Sequence, residues 1–151
     1  MSTEPPGDHD AIPALMRAAR GSYAEAIYRH LAAADLDDLP RNGPFVLGGM
    51  ARTAASAADL IAALGVTKQA ASQLIDTLVI RGYLTREVNP NDRRRMTIEL
   101  TDRGRAAAAA VRAGVEEVDA ELAGMISPAE LAGLRAGLAA LARIRQRAER
   151  A

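Results

Sequence analysis

"SAADLIAALGVTKQAASQLIDTLVIRG", residues 56–82, decides the fold. Ser56 with Asp59 three positions on is a capping-box start. "LIAAL" then runs to Gly65, a residue suited to the left-handed position that closes a helix. Only Val66 separates that glycine from Thr67, which can N-cap a second helix reaching Gly82. Helix, tight glycine turn, helix is the sequence form of a helix-turn-helix. On the second helix Ala71, Leu74, Ile75 and Leu78 follow the i, i+3, i+4, i+7 spacing of a buried stripe. Gln69, Ser72, Gln73 and Asp76 repeat that spacing on the opposite face.

Beyond Gly82 the period changes from helical to alternating. "YLTREV" (83–88) and "MTIEL" (96–100) are short, and Met96, Ile98 and Leu100 alternate with Thr97 and Glu99. Between them "NPNDRRR" has the Pro and Asn/Asp chemistry of a hairpin loop. A β-hairpin directly after a helix-turn-helix makes it winged.

The flanks are helical. From Ile12 the apolar positions Leu15, Met16, Ala19, Tyr23, Ile27 and Leu31 recur at helical spacing, up to the turn-rich connector "DLDDLPRNGP". "PFVLGGM" reads as a short helix with proline in its first turn, although Gly48 and Gly49 count against it. Thr101 and Asp102 start a long helix carrying Val111, Val115, Val118 and Leu122. Ser127, Pro128 and Glu130 then supply N-cap, N1 proline and N3 glutamate for a last helix bearing Leu131, Leu134, Leu138 and Leu141. These two stripes want a helical partner surface, in the chain's own core or on a second copy. "AAAAA" at 106–110 permits close approach.

The expected architecture is therefore mainly α with a small β-hairpin wing. Residues 1–11 read as a disordered leader and 12–151 as one domain. Within it, 43–101 form the winged lobe, and 12–42 with 102–151 form the helical region that flanks it.

Composition narrows the function. At 151 residues, with 49% hydrophobic content but only 3% aromatics, the chain favours closely packed helices over a sandwich of large side chains. No apolar run reaches bilayer length and "MSTEPPGDHD" lacks the basic and apolar regions of a signal peptide, which points to the cytoplasm. Zero cysteines exclude disulfides and thiolate metal sites. Net charge is zero, but residues 61–105 carry eight Lys/Arg against five Asp/Glu, while residues 1–60 carry five against eight. The basic excess lies where the helix-turn-helix and hairpin lie.

A polar outer face on a helix is ordinarily just solvated. On the second helix of a helix-turn-helix it is the face that enters a major groove. Gln69 and Gln73 can bond adenine N6 and N7, Ser72 can bond either partner, and the Ala70 methyl can meet a thymine methyl. Thr67, Lys68 and the helix N-terminus suit phosphate. Arg93, Arg94 and Arg95 in a neighbouring hairpin loop would reach the minor groove, with Asp92 able to brace the Arg94 guanidinium.

The order "LGVT", "LIDTL", "RGYL" and then D-x-R, I-x-L-T-x-x-G (Asp92, Arg94, Ile98, Leu100, Thr101, Gly104) resembles the DNA-binding lobe of the MarR family of bacterial transcriptional regulators. The flanking helices match that family's dimerisation region, so the resemblance extends over nearly the whole chain. It implies a winged-helix homodimer that binds pseudo-palindromic operators in double-stranded DNA, commonly as a repressor, and is often released by small phenolic or aromatic carboxylate ligands. It carries DNA contact to Gln69, Ala70, Ser72 and Gln73 on the reading helix and to Arg94 with Asp92 on the wing. Many members have Arg where this chain has Gln73, which shifts the expected base from guanine toward adenine.

Arg86 lies in phase with Leu84 and Val88, so strict alternation points it inward, where it needs an acceptor. A salt bridge or a twisted strand would satisfy it. The resemblance adds a third reading, in which Arg86 and Ser72 hold a ligand carboxylate. His30, with Tyr23 and Tyr28, could line a cleft beside the lobe or belong to core or interface. Two histidines cannot build a metal cluster, and no G-x-S-x-G, P-loop or dinucleotide fingerprint is present, so neither enzyme nor cofactor is expected. The competing reading is a winged-helix protein-interaction module that does not bind DNA.

Overall fold

The computed structural model describes residues 11–53 and 55–148; the side chains of Arg95, Gln146 and Ala148 are outside it. The element order is α1 (Ile12–Ala33), α2 (Gly43–Arg52), α3 (Ala57–Ala63), α4 (Lys68–Ile80), β1 (Leu84–Asn89), β2 (Asp92–Leu100), α5 (Asp102–Met125) and α6 (Pro128–Ala148). Of the expected leader at 1–11, only Ala11 lies within the described residues, as the extended residue before α1. Two compact units divide within α5, one ending at Val115 and the other beginning at Glu116.

Local chemistry explains the helix ends of the first unit. Ser56 and Asp59 exchange side-chain and backbone bonds in a full capping box at α3. The Thr67 hydroxyl accepts from Ala70 N at 3.2 Å and caps α4. Gly65 (φ 68) and Gly82 (φ 76) supply the left-handed residues after α3 and α4. α1 closes with Leu36 N–H donating to Leu31 O at 2.9 Å, which requires the left-handed Asp35 (φ 56).

The core of this unit joins Leu31, Leu36, Leu39, Val46, Leu47, Ile61, Leu78, Tyr83 and Leu84 to Ala107, Ala108 and Val111 of α5. α2 is helical despite Gly48 and Gly49, and packing supplies the reason. A Cβ on Gly49 would stand 2.7 Å from Leu60 Cδ2, and one on Gly48 would stand 3.1 Å from Val111 Cγ1. The intrinsic cost of two helical glycines, about 1 kcal/mol each, is met by the approach of α3 and α5.

β1 and β2 form a two-stranded antiparallel sheet, with Leu84 opposite Leu100, Arg86 opposite Ile98 and Val88 opposite Met96. The expected loop over residues 89–95 is not there. β1 continues through Asn89 and β2 begins at Asp92, so only Pro90 and Asn91 turn the chain. The strand extends because Asn89 pairs with Asp92.

In the second unit Ser127 and Glu130 build the expected box, with Ser127 N to Glu130 Oε2 at 2.8 Å and Glu130 N to Ser127 Oγ at 3.3 Å. The leucine stripe of α6 is open in the single chain: Leu134 and Leu138 are each 43% exposed and Leu141 37%.

Candidate nucleic-acid interface

α4 is sorted by face as its spacing requires. Leu78 is buried, Ala71, Leu74 and Ile75 are half-buried, and Gln69, Ser72 and Gln73 are exposed. Ala70 is half-buried between the faces, and Thr67 and Lys68 are exposed at the N-terminus. These candidate DNA-facing positions thus occupy the first two turns and the cap of one helix. Thr77 Oγ donates to Gln73 O at 2.7 Å, a local bond that leaves the Gln73 amide outside.

The arginine run has a different setting from the expected one. From the pair Asn89–Asp92 to the pair Val88–Met96, β1 moves by one residue and β2 by four. Arg93, Arg94 and Arg95 are therefore the surplus of a bulge in β2, not a loop. Bulges bend a strand and re-aim its side chains, and here Arg93 and Arg94 are exposed.

The brace is also different. Asp92 Oδ1 accepts from the main-chain N–H of Arg94 at 3.1 Å, and Asn89 Oδ1 accepts from Asn91 N at 2.9 Å. Among the described residues, no ion pair joins Asp92 to the Arg94 guanidinium. The carboxylate shapes the bulge backbone, as Asx residues do in turns, and leaves the guanidinium unclaimed by Asp92.

Arg86 does find an acceptor. It donates to and ion-pairs with Asp76 on α4, both side chains staying part-exposed. Strict alternation does not hold along β1, since Arg86 and its in-phase neighbour Val88 are both exposed; the salt-bridge reading accounts for the guanidinium. Ser72 sits one turn before Asp76 on the same helix. His30 is half-buried on α1, and Tyr28 donates to Arg41 O at 3.3 Å.

One cluster has no signature in the sequence. Arg103 Nη2 donates to Asp38 Oδ1 at 2.8 Å and to the Tyr83 hydroxyl at 3.2 Å, and Tyr83 in turn donates to Asp38. The Tyr83 hydrogen bond, aided by Arg103, holds the Asp38 carboxyl below its ordinary range. Burial first, and then the bond to Asp38, push the Tyr83 phenol up. The T-x-x-G motif also has a physical cause. Thr101 Oγ accepts from Gly104 N at 3.0 Å, capping α5, and donates to Gly82 O. A Cβ on Gly104 would fall 2.1 Å from Tyr83 O, so only glycine admits this approach.

Among the described residues no group of three or more His, Cys, Asp or Glu is placed to hold a metal. No described helix is long and apolar enough to cross a membrane.

A helix-turn-helix followed by a hairpin and packed on long helices defines a winged helix-turn-helix protein. The chain matches the MarR family model over residues 38–95. Among solved structures it is similar to a MarR family transcription regulator at 26% identity and TM-score 0.69, over 90% of this chain and 86% of that one. It is also similar to BpsR of Bordetella bronchiseptica (21% identity, TM-score 0.64, 92% and 98% covered), whose DNA binding is regulated by 6-hydroxynicotinic acid. A third similar structure is the transcriptional repressor CouR bound to a 23-mer DNA duplex (23% identity, TM-score 0.63, 87% and 92% covered). No curated protein sequence matches the chain.

Proposed function

We propose that the protein is a sequence-specific transcriptional regulator of the cytoplasm, a repressor that binds a pseudo-palindromic operator in double-stranded DNA as a homodimer. The observation that carries this reading is the exposed polar face of α4, Gln69, Ser72 and Gln73, set beside a hairpin whose bulge presents Arg93 and Arg94. A helix of this kind fits a major groove, where amide side chains distinguish base pairs. The arginines suit the neighbouring minor groove and its phosphates, with Arg95 extending the run. Lys68 and the capped N-terminus at Thr67 supply phosphate contacts that set register without reading sequence. The CouR–DNA complex supports the same use of a similar fold.

Two exposed apolar faces favour a dimer. Ile12, Leu15 and Met16 on α1 are 60%, 37% and 43% exposed, and the α6 stripe is open too. Apolar rows of this length call for a helical partner. The BpsR precedent supports release by a small aromatic ligand. For a carboxylate at Ser72 and Arg86, that ligand would have to compete with Asp76 for the guanidinium. No catalytic or cofactor role is assigned.

Selection of bound duplexes from a random pool, followed by sedimentation with the selected DNA, tests the proposal. The expected result is a two-fold symmetric site bound by two chains. Binding that yields no preferred sequence, or a shallow salt dependence in place of a slope near −0.9 per phosphate contacted, would favour a protein-binding winged helix instead.

A further inference from the structure

Three chain junctions of the first unit meet at one carboxylate. Asp38 lies in the connector between α1 and α2, Tyr83 stands between α4 and β1, and Arg103 is in the first turn of α5. Tyr83 is completely buried, whereas the Asp38 and Arg103 side chains reach it from the surface, 46% and 41% exposed. The Arg103 guanidinium carbon lies 4.7 Å over the Tyr83 ring, adding a cation–π interaction to the shared hydrogen bonds. Arg81, the residue that ends α4, donates to the Asp38 carbonyl oxygen. Asp38 thus receives bonds from the end of the reading helix, from the root of the wing and from the start of α5.

An isolated half-exposed ion pair does little. A buried phenol fixed between a carboxylate and a guanidinium is a network, and such networks specify geometry because each member fixes the next. The bonds join the two ends of the DNA-contacting lobe to the helices it hangs from. None of the three residues belongs to the face assigned to bases or phosphates.

We propose that Asp38, with Tyr83 and Arg103, is a positioning device that holds the reading helix and wing at a set angle to α1 and α5, and so sets the half-site spacing the dimer accepts. This rests on the DNA-binding, dimeric reading given above. Inserting one base pair between half-sites turns one of them by about 34° and moves it by about 3.4 Å. Lobes held rigidly cannot follow that change, whereas lobes free to pivot can. Loosening the network therefore relaxes spacing discrimination while leaving base preference within each half-site untouched.

The experiment compares the full-length wild type with Asp38→Ala, Asp38→Asn, Tyr83→Phe and Arg103→Gln. Each is titrated against the selected operator and against versions with one base pair inserted or deleted between half-sites, at one salt concentration. The wild type is expected to discriminate among spacings. Asp38→Ala and Tyr83→Phe should lower that discrimination at least about threefold. Asp38→Asn, which keeps an acceptor for Tyr83, should lower it less. A merely stabilising role would lower the melting temperature and leave the ratio of affinities where it was, and that result overturns the proposal. Should Asp38→Ala not fold, Tyr83→Phe and Arg103→Gln decide the same comparison, each removing a single donor group. A wild type that selects a symmetric operator but accepts every spacing equally overturns this inference alone. One that selects no DNA removes the reading beneath it and this inference together.

Discussion

Asp76 on the reading helix is ion-paired with Arg86 on the first strand of the wing, with both side chains part-exposed, 49% and 42%. The bond ties together the two elements assigned to adjacent grooves. It also places a negative charge on the side of α4 from which Gln69 and Gln73 project.

Because both partners meet solvent, the pair should contribute only about 0.2–1 kcal/mol to stability. Chemical denaturation of Asp76→Ala, Arg86→Ala and the double variant will measure the coupling. A coupling above about 2 kcal/mol would mean that the pair is far less screened than its exposure indicates.

Gln73→Ala should relax base preference at one position in each half-site, at about 1–3 kcal/mol for the bidentate amide–base pairing it removes there. Non-specific affinity should stay as it is, since the variant leaves every phosphate-binding group in place. Repeating the sequence selection with the variant checks this; an unchanged consensus would remove Gln73 from the reading face.

The bond from Arg94 N–H to Asp92 Oδ1 separates shape from charge. Asp92→Asn keeps an acceptor there and deletes a negative charge, so it should bind DNA at least as tightly as wild type, most clearly at low salt. Asp92→Ala deletes both and should bind more weakly than Asp92→Asn, because an unshaped bulge loses more freedom when the wing docks. Equal affinities for the two variants would leave the run acting as diffuse charge. Arg94→Ala should cost more affinity than Arg93→Ala under the same conditions.

Leu134→Glu combined with Leu138→Glu should abolish the dimer, since each puts a charge on an apolar stripe that is open in the single chain. Wild type should sediment at twice the 15.9 kDa chain mass and the variant at 15.9 kDa. A wild type that remains at the single-chain mass at micromolar concentration defeats the dimeric reading.

The Asp38–Tyr83 pair bounds a pH window. The Asp38 carboxyl is held below its ordinary 3.8, first by the Tyr83 hydrogen bond, so its contribution is present above that value and lost as pH falls through the folded value. The Tyr83 phenol is pushed above its ordinary 10.0, first by burial, so its contribution is present below that value and lost as pH rises through the folded value. Stability measured against pH should fall less steeply below about pH 4 in Asp38→Asn than in wild type. Parallel acid limbs for the two proteins would show that the Asp38 carboxyl is not perturbed by folding.

Helix boundaries were legible because the chemistry that sets them is local. Ser56 with Asp59, Thr67 with Ala70, and Ser127 with Glu130 are each three positions apart, and their bonds form wherever the helix forms. The faces of α4 were legible for the same reason, since a 3.6-residue period needs no knowledge of the rest of the chain. Resemblance of motif order pointed to a family, whose model matches residues 38–95.

What only the tertiary structure decided depends on groups far apart in the chain. The arginine run reads as a loop in isolation, yet pairing of Val88 with Met96 and of Asn89 with Asp92 turns it into a bulge. Gly48 and Gly49 read as a weakness in α2 until Leu60 and Val111 come within reach of them. Asp38 looks like one more acid in a turn, and its partners Tyr83 and Arg103 stand 45 and 65 positions away, beyond any local pattern. Periodicity and capping determine which elements form and which faces they hide; side-chain bonds between distant junctions determine the angles at which those elements are held.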